Sequence, residues 1–85
     1  PDTFQGQALA KLAQTKGYKS VSVLAINNDY GKGLVQSFIP AFEAQGGKVI
    51  NKANPTFYPP QSSTFESEVL AAFQGNPNAV LLVAY

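Results

Sequence analysis

Val21-Ser22-Val23-Leu24-Ala25-Ile26-Asn27-Asn28-Asp29-Tyr30-Gly31-Lys32-Gly33 changes character at its middle, and that change sets the fold class. The first six residues are apolar but for one serine, rich in β-branched side chains and bounded by turn formers, the pattern of a buried strand. Asn27-Asn28-Asp29 interrupts the run. Beyond it Leu34, Val35, Phe38, Ile39 and Phe42 recur at helical spacing, so a helix follows, with Asn28 or Asp29 able to cap its first turn and Gly46-Gly47 beyond its end. A buried strand that feeds directly into an amphipathic helix is the unit of an α/β protein. Pro40 lies inside this helix, where it removes one backbone hydrogen bond and crowds the preceding turn at a cost of about 3 kcal/mol, so a kink is expected near residues 36–40.

The alternation continues in both directions. Upstream, Asp2 with Gln5 three positions later opens an apolar series, Phe4, Ala8, Leu12 and Leu9, Ala13, that predicts a helix over about 3–16 closed by Lys16 and Gly17. Downstream, Lys48-Val49-Ile50-Asn51-Lys52-Ala53-Asn54 reads as a second strand, more polar than the first and therefore an edge strand. Pro55 to Gln61 holds three prolines in seven positions and is read as a loop. Ser63 with Glu66 forms a capping box for a third helix, with Phe65, Val69, Leu70 and Phe73 on one face and Gly75-Asn76-Pro77 ending it. Ala79-Val80-Leu81-Leu82-Val83-Ala84-Tyr85 is apolar throughout and predicts a strand covered on both faces. Phe38, Phe42, Phe65 and Phe73 fall on helical stripes and are assigned to the core.

Strands alternating with helices in the order αβαβαβ imply a parallel sheet joined by right-handed crossovers. The first and third strands are uniformly apolar and the second is not, so strand order 2-1-3 satisfies burial best. That order sends the two crossovers in opposite directions and puts helices on both faces, a three-layer αβα arrangement; order 1-2-3 would leave one apolar face bare. Ligands of doubly wound sheets bind beyond the carboxyl ends of the strands, where the order reverses. Here that crevice is lined by Asn27 to Tyr30, by Asn54 to Pro60 and by Tyr85.

Composition narrows the functions. Eighty-five residues make one small domain at most, and a chain of this size buries only about 60–65% of its unfolded surface. Hydrophobic residues at 45% against 13% charged mark a core-forming chain, not a disordered one. The six lysines are scattered and the net charge is +1, so no basic stripe exists for nucleic acid. The absence of Cys and His removes thiol nucleophiles, disulfides, most zinc sites and the commonest general base, and neither a cofactor nor a metal is expected. Direct membrane insertion is not expected either, because no apolar run approaches the roughly 18 residues that a span requires. A start at Pro1 without Met and an end at Tyr85, directly after an apolar strand, lead to the expectation of a piece of a longer protein.

The candidate site is the crevice segment Asn27 to Gly33, whose amides at a helix start can hold an anion. Gly31-Lys32-Gly33 has neither the G-x-G-x-x-G spacing nor a P-loop, which argues against a nucleotide. Asp29 reads first as a plain helix cap. Tyr30 offers a flat apolar face and a hydroxyl, as small-solute sites do, and residue chemistry leaves two readings of it open: lining the cleft, or packing on its own lobe. Tyr85 follows the same logic. Glu66 and Glu68 suit the first turn of a helix and make a poor catalytic pair. No nucleophile and base are arranged for catalysis, so the chain is not expected to be an enzyme.

Gln5-Gly6-Gln7-Ala8-Leu9-Ala10, Gly17-Tyr18-Lys19-Ser20-Val21, Asn27-Asn28-Asp29-Tyr30-Gly31-Lys32-Gly33-Leu34, Phe42-Glu43-Ala44-Gln45-Gly46-Gly47-Lys48-Val49 and Ala79 to Tyr85 resemble the type I periplasmic binding proteins. Within them the resemblance is to the branched-chain amino-acid (Leu/Ile/Val) receptors of ABC transporters, and it covers essentially the whole chain in order. It implies a fragment of the C-terminal lobe of a two-lobed protein. A small solute, such as an amino acid, would bind between the lobes, and hinge closure would present the complex to a membrane permease. The location implied is the periplasm, or the extracellular side of the membrane as an anchored lipoprotein in a Gram-positive source. In that family the tyrosine of the Tyr-Gly pair after this strand lines the cleft, which maps onto Tyr30, and a tyrosine after the last strand matches Tyr85. Asn28, Asp29, Tyr30 and Tyr85 are therefore the candidate ligand-binding residues. Pro40 departs from the family's uninterrupted helix.

The competing function is an extracellular sensory ligand-binding domain with the same fold, attached to a signalling module. A flavodoxin-like enzyme or phospho-acceptor domain would need an acidic cluster or phosphate loop at the strand ends, and the sequence has neither. Surface left bare by the rest of the protein also leads to an expectation of self-association.

Overall fold

In the computed structural model, which describes residues 2–84, the elements run α1 (Asp2–Thr15), β1 (Ser20–Ile26), α2 (Asp29–Ala44), β2 (Lys48–Val49), β3 (Thr56–Tyr58), α3 (Glu66–Ala72) and β4 (Ala79–Val83). α1 stops as the sequence predicts. Gly17 takes φ +82, and the Tyr18 N–H donates to the Ala13 carbonyl at 3.1 Å while the Gly17 N–H donates to Gln14 at 2.9 Å, the paired bonds of a glycine-terminated helix. α2 ends the same way at Gly46-Gly47, whose N–H groups reach Glu43 and Phe42. The helix runs on through Pro40, which is exposed, so its ring meets solvent and not the sheet.

All sheet pairs are parallel, and β1 is the centre. β4 pairs along one edge, from Val21↔Ala79 to Ala25↔Val83. β2 and β3 share the other, at Ser20↔Lys48 and at Leu24↔Thr56 to Ile26↔Tyr58. This is the order 2-1-3 read from the sequence, with the polar strand at the edge. α1 and α2 cover one face, where Ala10, Leu34, Val35, Phe38 and Phe42 pack on Val21, Val23 and Ala25. Phe38 and Phe42 stack with ring centroids 5.3 Å apart. α3 covers the other face, where Ala72 joins Leu24, Ile26 and Tyr58. The layers are αβα.

Four expectations need correction. The strand predicted at Lys48 to Asn54 is interrupted after Val49, because the chain turns out of the sheet over residues 50–53. The predicted loop at Pro55 to Gln61 contains the missing half: Pro55 and Pro59 flank Thr56–Tyr58 and leave all its N–H groups able to pair. The capping box at Ser63 and Glu66 does not form. Helix α3 starts at Glu66 with Phe65 as its cap and no side-chain cap bond, and Phe65 is instead held edge-on against Tyr58 at 4.8 Å.

The fourth correction concerns burial. The residue of α3 that packs on the sheet is Ala72, while Phe65 is 38% and Phe73 57% exposed, so these two are not core. β4 is only partly covered: Val83 is buried, but Leu82 on the α3 side is 62% exposed because the seven-residue α3 does not reach over it.

Candidate functional site

The crevice forms where β1 ends and α2 begins. Asn28 has an extended backbone (φ −151, ψ −179), and its Oδ1 accepts the Gly31 N–H at 2.9 Å, so Asn28 is the cap. Asp29, first read as the cap, is instead the exposed first residue of α2, its carboxylate placed at the positive end of the helix dipole. Gly31 explains how closely the helix can start. A Cβ there would lie 1.9 Å from the Ile26 carbonyl oxygen, so no larger residue fits without moving the turn.

A second segment is tied to the first. The Asn27 N–H donates to the Tyr58 carbonyl at 2.8 Å, which brings the end of β3, and the Pro59-Pro60 loop after it, alongside the β1 turn. The Tyr58 side chain is buried, and its hydroxyl donates to the Val83 carbonyl at 3.1 Å, so one tyrosine links the carboxyl ends of β3 and β4. Sequence reasoning missed Tyr58. Its signal was the run Thr56-Phe57-Tyr58, β-branched and aromatic, masked by the prolines on either side.

Tyr30 sits half-buried between these segments and packs against both hydrophobic clusters, one on each face of the sheet. The packing meets the reading in which the ring closes its own core. Asn28, Asp29 and Tyr30 are consecutive in this turn. Tyr85 lies outside the described residues. Below the crevice on the α3 side an open apolar groove of about 330 Å³ is lined by residues that include Tyr58, Pro60, Phe65, Val69 and Leu82. Among the described residues no group of three or more Asp or Glu could hold a metal ion, and no helix is long and apolar enough to cross a membrane. The arrangement has the parts of a recognition surface: backbone amides at a helix start, an amphipathic aromatic and apolar walls.

Comparisons with known proteins agree with this fold. The family model described as "Receptor family ligand binding region" matches residues 1–85. A leucine binding protein from Thermotoga maritima superimposes with a TM-score of 0.85 at 32% identity, over 99% of this chain and 23% of that one. A putative branched-chain amino acid ABC transporter structure from Rhodospirillum rubrum gives 0.80 at 29%, over 96% of this chain and 23% of that one. Metabotropic glutamate receptor 6 of Oryctolagus cuniculus is 29% identical over 79 residues, 93% of this chain and 9% of the receptor. The chain thus spans under a quarter of the proteins it resembles.

Proposed function

The chain belongs to the receptor family ligand binding region, and from that premise we propose that it is part of one lobe of a two-lobed solute receptor that serves an ABC transporter. The solute is a small molecule of the amino-acid class, held in the crevice at the carboxyl ends of β1, β3 and β4. The observation that carries this reading is the likeness of almost the whole chain to a leucine binding protein, in fold and at 32% identity. Tyr30, Asn28 and Asp29 supply this lobe's share of the contacts, with Tyr85 as a fourth. Asn28 also shapes the turn: its side chain caps α2, and its N–H and carbonyl pair with Ile26 and Lys32. The role is binding and presentation to a permease, not catalysis, and its place is the periplasm or the outer face of the membrane.

The similarity to a metabotropic glutamate receptor favours a second reading, an extracellular sensory domain. One experiment weighs both. These 85 residues replace the equivalent segment of the Thermotoga leucine binding protein, and the chimera, once shown to melt cooperatively, is titrated calorimetrically with leucine, isoleucine, valine, glutamate, small carboxylates and sugars. Heat on binding a branched-chain amino acid supports the transport receptor; glutamate alone favours the sensory reading. No heat with any of these solutes overturns both.

A further inference from the structure

The edge strand beside β1 is one strand broken in two. Its sequence offset from β1 is 28 residues in β2 (Ser20↔Lys48) and 32 in β3 (Leu24↔Thr56), so four extra residues loop out between them. The gap falls opposite Val23, which is completely buried. Its N–H and C=O would have no strand to pair with, and buried backbone groups are rarely left unpaired. The Asn51 side chain fills the gap. Its Oδ1 accepts the Val23 N–H at 3.0 Å, and its Nδ2 donates to the Val23 carbonyl at 2.9 Å and to the Thr56 hydroxyl at 3.2 Å. An N–H can meet only the amide oxygen and a C=O only the amide nitrogen, so the partners fix the orientation of the carboxamide.

We propose that Asn51 is a positioning residue of the crevice: its carboxamide stands in for the missing rung of the sheet and sets where β3 rejoins β1. Its place next to Thr56 gives it that leverage. β3 is three residues long, and its last residue, Tyr58, receives the Asn27 N–H and binds Val83, so a shift of β3 moves the β1 turn and the Pro59-Pro60 loop together. Lys52, next along the chain, is engaged by Glu43 at 2.9 Å and leaves the bridging to Asn51. That the positioned surface is a solute crevice rests on the function proposed above; the bridge itself does not.

The test uses the ¹⁵N-labelled 85-residue chain with Asn51→Leu, which fills similar space without hydrogen bonds, and Asn51→Asp, which keeps an acceptor for the Val23 N–H. In Asn51→Leu, amide exchange at Val23 should accelerate about tenfold relative to Val21 and Ala25, as expected for one lost hydrogen bond. The resonances of Asn27 and of Thr56 to Tyr58 should move with it, and Asn51→Asp should restore part of the protection at Val23. Unchanged relative exchange at Val23, or equal acceleration at every amide in both variants, would overturn the bridge. In the chimera, Asn51→Leu should weaken amino-acid binding and Asn51→Asp recover part of it; binding unaltered by either overturns the positioning role. If the unsubstituted chimera binds no solute, the proposed function fails while the exchange result still decides the bridge.

Discussion

Gly31 shows how one residue can set the geometry of a turn through the side chain it lacks. Its missing Cβ lets the first turn of α2 close on the Ile26 carbonyl, and that closure places Asn28, Asp29 and Tyr30 at the mouth of the crevice. A methyl group there meets backbone, which cannot rotate away as a side chain can. Gly31→Ala should therefore cost about 1–3 kcal/mol, as overpacking of a tight site does. Chemical denaturation measures it, and a loss below a few tenths would show that the turn yields. Tyr30 carries a different demand, because it is half-buried and packs on both hydrophobic clusters. The sequence alone could weigh an aromatic in the cleft against an aromatic in the core, yet not foresee that the ring packs against clusters on both faces of the sheet, since that depends on how two helical layers meet at the end of a strand.

The elements divide into those set by local chemistry and those set by neighbours. α1, β1 and α2 were legible to within a residue or two, because periodicity, capping and terminal glycines agree with one another. β2 and β3 were not. Their break depends on a side chain at position 51 that completes a ladder 28 residues back, and no local pattern reports such a bond. Burial on α3 was misread for a related reason: its apolar stripe is real, but only Ala72 packs on the sheet while Val69, Leu70 and Phe73 stay exposed. Tyr58 is the clearest tie between elements, reaching from β3 to β4. Tyr58→Phe keeps the ring against Phe65 and removes only the hydroxyl. It should lower stability by about 1–2 kcal/mol, through the Val83 carbonyl left unpaired in a buried setting, as a shift in the denaturation midpoint at constant slope. No shift would mean that Val83 finds another donor.

At the scale of the molecule, this is a three-layer αβα unit whose centre is well made and whose β4 side is open. Leu82, Leu70 and Phe73 on the α3 side are each more than half exposed, while the net charge of +1 offers little repulsion between copies. The isolated chain should self-associate as its concentration rises, with a light-scattering mass above that of the monomer; a sharp monomer mass throughout would contradict this. The chain matches under a quarter of the leucine binding protein, so the test of the proposed function needs the rest of such a protein around it. The most direct measurement is a thermal-shift comparison of the leucine-binding-protein chimera carrying these 85 residues, with and without Tyr30→Ala, against amino acids, small carboxylates and sugars. A rise in melting temperature with an amino acid is expected that disappears in Tyr30→Ala while the unliganded melt stays cooperative; an equal rise in both proteins would contradict the place proposed for Tyr30 in the crevice.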